Sequence, residues 1–167
     1  MNFYKALNKQ KYIIGNFSIV PIRFEDRMDI LKWRNEQIYH LRQDTQLTEV
    51  DQENYFSNVI SKLFNKNQPD QILFSYLEKG VCIGYGGLVH INWADKNAEI
   101  SFVMNTKLEK DCFKLHWGTY LALIEDVGFK TLNFHKLFIY AFDLRPNLYK
   151  AIEAQCYFEE ARLKDHC

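Results

Sequence analysis

Three groups of residues in this 167-residue chain have types and spacing that could do chemistry. The first is the stretch 98–129, AEISFVMNTKLEKDCFKLHWGTYLALIEDVGF. It reads as a strand, a polar connection, a turn with a single glycine at Gly118, and an amphipathic helix. That order brings backbone N–H groups at a helix start against an anion. The plainer alternative is that FKLHWGT is only a helix start. The second group is His90, near the end of one strand, and Glu99 on the next. Each is a proton acceptor if its surroundings tune it, since a carboxylate needs burial or a like charge to raise its pKa. Otherwise they are ordinary sheet polar residues. The third is Arg34 and Asn35, directly after an apolar Trp33, with Arg42 beyond. Either guanidinium offers the fork that a diphosphate wants, or is a solvated helix charge.

The elements that must position these groups follow from the hydrophobic pattern. Residues 1–16 carry no clear period and form an N-terminal extension, with a short strand at Tyr12–Ile14. Alternation from Phe17 to Phe24 predicts a first strand. Glu25 and Asp26 open a helix, acidic where the dipole favours it, with Ile30, Trp33, Gln37 and Leu41 on one face. Thr48 followed by Asp51 resembles a second helix start, and Tyr55, Phe56, Val59, Ile60 and Leu63 give its apolar face. Ile72–Leu77 and Val81–Ile91 read as a hairpin joined at Glu78-Lys79-Gly80. Gly84, Gly86 and Gly87 inside its second strand mark a close approach, by a ligand or by a neighbouring backbone. Asn97–Met104 is the next strand. Apolar residues at 117, 120, 121, 124 and 127 then give a strong helix signal. Asn133 suits a left-handed cap. His135–Phe142 alternates as a strand, Pro146 opens a short helix, and Tyr157–Leu163 closes the chain as a strand. The order β-α-α-β-β-β-α-β-α-β describes one α+β domain over 1–167 with a mostly antiparallel central sheet.

Composition narrows the function. Apolar residues are 47% and aromatics 16%, enough for a packed core. The 21 basic and 21 acidic residues cancel, which gives no support to a nucleic-acid partner. Cys82, Cys112, Cys156 and Cys167 are scattered with no C-x-x-C pair. That argues against a zinc site or disulfide framework and fits a reducing compartment. The N-terminus lacks a signal-peptide apolar run, and no stretch approaches the roughly 18 apolar residues of a membrane span. A cytoplasmic protein with no metal and no membrane partner is the expectation.

AEISFVM, the turn before WGTYLALIEDVGF, and RPNLYKAIEAQCYFEEARLKDH together resemble the GNAT superfamily of acyl-CoA-dependent N-acetyltransferases, from about Ile19 to His166. WRN in the first helix resembles the branches acting on amino sugars, aminoglycosides and ribosomal-protein N-termini. The resemblance implies a mixed, mostly antiparallel sheet with helices on both faces, and acetyl-CoA as co-substrate. The family's pyrophosphate loop, Q/R-x-x-G-x-G/A, falls on Phe113, His116 and Gly118, and only Gly118 fits strictly. Carried over, Lys114, His116, Trp117, Gly118 and Thr119 would surround the diphosphate. Val103 and Met104 would offer main-chain groups to pantetheine, where the strand splays from its parallel neighbour. Asn147 would hydrogen-bond the cofactor or cap its helix.

Acetyl transfer to an amine needs removal of a proton and donors at the oxyanion. The resemblance places Glu99 as base, with His90 as the rival. The family's tyrosine acid, seven residues after Asn147, is replaced by Ala154, leaving Tyr149 as the nearby candidate. Arg34, Asn35 and Asp44 would roof the acceptor site. No cysteine is placed as an acyl carrier, so direct transfer in a ternary complex is expected. The acceptor would be a small primary amine, most simply an amino sugar or its nucleotide-linked form. A protein N-terminus or an aminoglycoside is the alternative, and a non-catalytic acyl-CoA-binding domain is a third reading. The family's last strand is missing from the pattern, and an uncovered edge invites pairing, which makes a homodimer an expectation too.

Overall fold

Lys79 and Gly80 both take positive φ, 49° and 88°, the signature of a two-residue hairpin turn whose twist matches its strands. The turn joins β3 (Ile72–Glu78) to β4 (Val81–Asn92). In this computed structural model, which describes residues 2–164, that hairpin is the centre of a six-stranded sheet. The strands lie in chain order: β1 (Tyr12–Ile14), β2 (Phe17–Pro21), β3, β4, β5 (Asn97–Met104) and β6 (Lys136–Phe138). All neighbours pair antiparallel except β5 and β6, which are parallel. The N-terminal extension is part of the core, with Tyr4, Leu7 and Tyr12 buried.

The three glycines of β4 exist for backbone crowding. A Cβ on Gly87 would stand 1.9 Å from the Ile72 carbonyl oxygen, and one on Gly86 2.0 Å from that of Ser101 and 2.6 Å from the Tyr120 hydroxyl. The close approach these glycines allow is made by neighbouring strands.

Helices α1 (Arg27–Glu36) and α2 (Glu49–Tyr55) follow β2; a π-helical turn, Phe56–Ile60, leads on into α3 (Ser61–Leu63). Thr48 and Asp51 form a reciprocal capping box, as their spacing predicts. Phe56, Ile60 and Leu63 are buried, whereas Val59, expected on the same face, is exposed. The π-helical turn shifts the register of that face.

Helix α4 departs most from expectation. It starts at Thr106, capped by the Asn105 side chain, and runs unbroken to Glu125. The turn expected at 113–118 is therefore its third turn. His116 stands where one of the loop's two glycines would be, and nothing in TKLEKDCFKLHW resists helical propagation. Asn133, at φ 55°, supplies the expected left-handed residue beyond it. Two strand expectations are also corrected. His135–Phe142 pairs only over Lys136–Phe138. Residues 157–163 form no strand; Phe158 is 80% exposed and the segment is tied by Lys136–Glu160 (2.6 Å) and by the Tyr157 hydroxyl donating to Glu125. EEARLKD has no alternating apolar face to hold it in a sheet. The last motif residues, 165–167 with Cys167, lie outside the described residues. Helix α5 (Pro146–Glu153) has its proline in the first turn, as expected.

Candidate active site

Parallel pairing of β5 with β6 stops at Glu99↔Phe138. Beyond it the two chains separate, and a cleft of about 290 Å³ opens between Ile100–Val103 and residues 139–142. Alternation decides which backbone groups face it. The Ser101 and Val103 carbonyls lie against Gly86 and Gly84 of β4, and the Met104 carbonyl accepts 2.8 Å from Gln37 Nε2. Phe102 is thus the residue whose main chain is turned to the slot. The pair expected to do this was Val103 and Met104; Val103 is among the residues that line the cleft and Met104 is not.

At the paired end of the slot sit Glu99 and His90. Register slips between Val89 and Asn92, where β4 carries one residue more than β5, and His90 sits at φ 48°. This is a β-bulge, a device that re-aims a side chain. It turns His90 Nδ1 to 2.8 Å from Glu99 Oε2. Glu99 is buried, 8% exposed, and its other partner is Arg42, Nη2 to Oε1 at 3.0 Å. A carboxylate only accepts, so Nδ1 carries the hydrogen, and in the neutral ring Nε2 keeps its lone pair. His90's side chain is 65% exposed, which leaves that lone pair within reach of a bound amine.

WRN serves this cluster from behind. Asn35 accepts from Leu47 N–H (2.9 Å) and donates to the Leu47 carbonyl (2.8 Å). Gln43 donates to Asn35 (3.1 Å) and accepts from Arg34 Nε (3.0 Å). The loop carrying Arg42 is thereby stapled to α1. Arg42 then lies over the Tyr140 ring, 4.4 Å from its centroid. Arg34 itself lines the cleft; Asn35 and Asp44 do not, and Asp44 is exposed.

At the open end, Trp117 packs edge-on against Phe102, centroids 5.1 Å apart. Its buried Nε1–H has no partner, a donor left for a ligand in the slot. Arg145, on the turn into α5, pairs with Glu109 of α4, lies 5.1 Å from the Phe113 ring centroid, and has His40 Nδ1 at 3.5 Å. Burial, and secondarily Arg145, lower the His40 pKa to about 4, so this imidazole is neutral near pH 7. Burial raises the Glu109 pKa against the pull of Arg145.

The remaining expected residues lie elsewhere. His116 is buried with Nδ1 3.2 Å from the Tyr76 hydroxyl and its ring edge-on to Phe17; burial lowers its pKa. Thr119 stands beside the same hydroxyl. Gly118 makes room for Gln155, whose Nε2 would be 3.0 Å from an added Cβ. Lys114 and Asn147 are exposed; Asn147 is not the cap, that place being taken by Arg145. The Tyr149 hydroxyl donates to the Phe142 carbonyl at 3.2 Å, outside the cleft. So the structure gathers Glu99, His90, Arg34, Val103 and Trp117, and adds Arg145 and Tyr140. The R-P-N order before α5 was the available signal for Arg145.

The family model described as an acetyltransferase (GNAT) domain matches residues 19–155. No curated protein matches the chain. Among solved structures, spermidine N-acetyltransferase from Vibrio cholerae in complex with CoA and spermine superposes with a TM-score of 0.76 at 18% identity, covering 89% of this chain and 84% of that one. A dodecameric structure of spermidine N-acetyltransferase from Vibrio cholerae in an intermediate state gives a TM-score of 0.70 at 18% identity, covering 89% and 82%.

Proposed function

The chain belongs to the GNAT acetyltransferase family, the acetyl-CoA-dependent N-acetyltransferases, and on that premise we propose that it acetylates a primary amine carried on an anionic small molecule, such as a nucleotide-linked amino sugar. The observation behind this is the charge of the cleft. Arg34 and Arg42 line it beside His90, with Arg145 at its mouth, against Glu99 as the one acidic lining residue among those described; His40 is neutral. A cleft so charged attracts phosphate and repels polycations.

Acetyl-CoA, when bound, supplies the acetyl thioester. The slot beside Phe102 and the orphaned Trp117 indole N–H fit its pantetheine arm. His90 Nε2 takes the proton from the incoming amine, and Glu99 holds the ring in the tautomer that leaves Nε2 free and offsets its charge once protonated. Arg42 anchors Glu99. This assigns Glu99, expected as base, to a positioning role, and His90 to the base. None of the described cysteines lines the cleft, which supports direct transfer.

A second reading has a polyamine acceptor. The Vibrio cholerae enzymes of the same fold are spermidine N-acetyltransferases, one solved with spermine. An oligomer belongs with either reading: one such structure is dodecameric, and β6 ends the sheet among the described residues. Free-thiol release from acetyl-CoA, measured with a panel of amines, separates the acceptors. Turnover with a uridine-diphosphate amino sugar at least tenfold above that with spermidine is the expected result. Spermidine as the better substrate would replace the anionic acceptor by the polyamine. No thiol release with any amine would overturn the catalytic reading.

A further inference from the structure

The slot opens where the starts of α4 and α5 converge, and much of the backbone there is already committed. The Lys107 N–H is taken by the Asn105 side chain and the Leu108 N–H by the Asn105 carbonyl. The Glu36 carboxylate accepts from Thr106 at 2.6 Å and would repel an anion at the α4 start. Pro146 has no N–H, and the Leu148 N–H bonds the Arg145 carbonyl. The third turn of α4 faces Tyr76, Phe17 and Gln155. The charged donor at the mouth is a side chain. Arg145 is only 10% exposed there, with Glu109 and Phe113 of α4 on one side and His40 on the other.

We propose that Arg145 holds the diphosphate of CoA in place of a main-chain loop, and that Glu109 is a placeholder anion occupying the guanidinium until the diphosphate displaces it. The proposal rests on the acetyl-CoA reading above. A guanidinium this buried needs a partner anion. Glu109 supplies one negative charge; a diphosphate supplies more charge in a geometry matched to the fork. His40 is neutral and does not compete. On binding, the Arg145–Glu109 pair opens, the guanidinium turns to the phosphate oxygens, and Glu109, 19% exposed, turns to solvent.

Calorimetric titration with CoA and with S-acetylpantetheine, which lacks the diphosphate, tests this without turnover. Arg145→Met is expected to weaken CoA binding by about 10- to 100-fold and to leave S-acetylpantetheine unchanged. Glu109→Gln is expected to tighten CoA several-fold, and to lose that gain when combined with Arg145→Met. Should Arg145→Met fail to fold, Glu109→Gln alone decides. CoA binding unchanged in Arg145→Met, or weakened by Glu109→Gln, overturns the proposal. Wild-type protein that binds neither compound overturns the acetyl-CoA reading itself.

Discussion

Replacing His90 with asparagine lowers kcat by about 10²- to 10⁴-fold and leaves CoA affinity at the wild-type level. The expectation follows from where His90 sits. Its Nδ1–H is committed to Glu99, so the only proton acceptor it offers is Nε2, and that atom points from a bulge at the end of the acyl slot. Asparagine tolerates the positive φ at this position, so lost activity reports chemistry and not unfolding. A carboxamide has no basic lone pair to take the proton from the amine. Glu99→Gln lowers kcat as well, because an amide can donate to Nδ1 and force the hydrogen onto Nε2. Steady-state kinetics across pH with paired CoA titrations measures all three effects. Full turnover in His90→Asn together with loss in Glu99→Gln would return the base to Glu99.

Gly87→Ala costs about 3–5 kcal/mol of stability or more, a large part of the 5–15 kcal/mol typical of a domain. The added methyl would meet the Ile72 carbonyl oxygen at 1.9 Å and the Leu73 Cα at 2.9 Å. Both belong to the backbone of β3, which cannot step aside without breaking the central ladder. Gly84→Ala is milder: its contacts are 3.0–3.2 Å, and one of them is the Phe102 ring. Urea melts of both variants beside wild type give the comparison. A midpoint for Gly87→Ala equal to wild type would mean that the β3 backbone does not crowd Gly87.

The residues show how far local pattern reaches. The hairpin around Lys79-Gly80, strand β5 and the Thr48–Asp51 cap are decided within a few positions of themselves, so their sequence states them. The start of α4 is decided by what is absent. A resemblance to glycine-containing loops places a turn at 113–118, whereas Phe113, Lys114 and Leu115 carry the helix through it. The length of β6 is a tertiary matter: residues 139–142 alternate like a strand, but the ladder with β5 ends at Phe138. The site divides in the same way. Glu99 and His90 are visible as titratable residues on adjoining strands, yet only the bulge makes them a pair. Asn35 reads as an acceptor contact and is a staple for the Arg42 loop, because its amide is spent on Leu47 and Gln43. Arg145 opens a recognisable motif, but its role in the site is hidden because its partner Glu109 is 36 positions away.

The six strands lie in the order in which they are synthesised. Each new strand therefore docks on the one made just before it, and no earlier strand must wait for a later one to be inserted beside it. Such a sheet can be assembled as the polypeptide leaves the ribosome, from its first edge to its last. The gap beside β5 is completed only when residues 136–145 arrive. The protein thus has its hydrophobic interior before it has anywhere to receive a ligand, and a nascent chain stalled before residue 136 would be folded over most of its sheet yet blind to CoA.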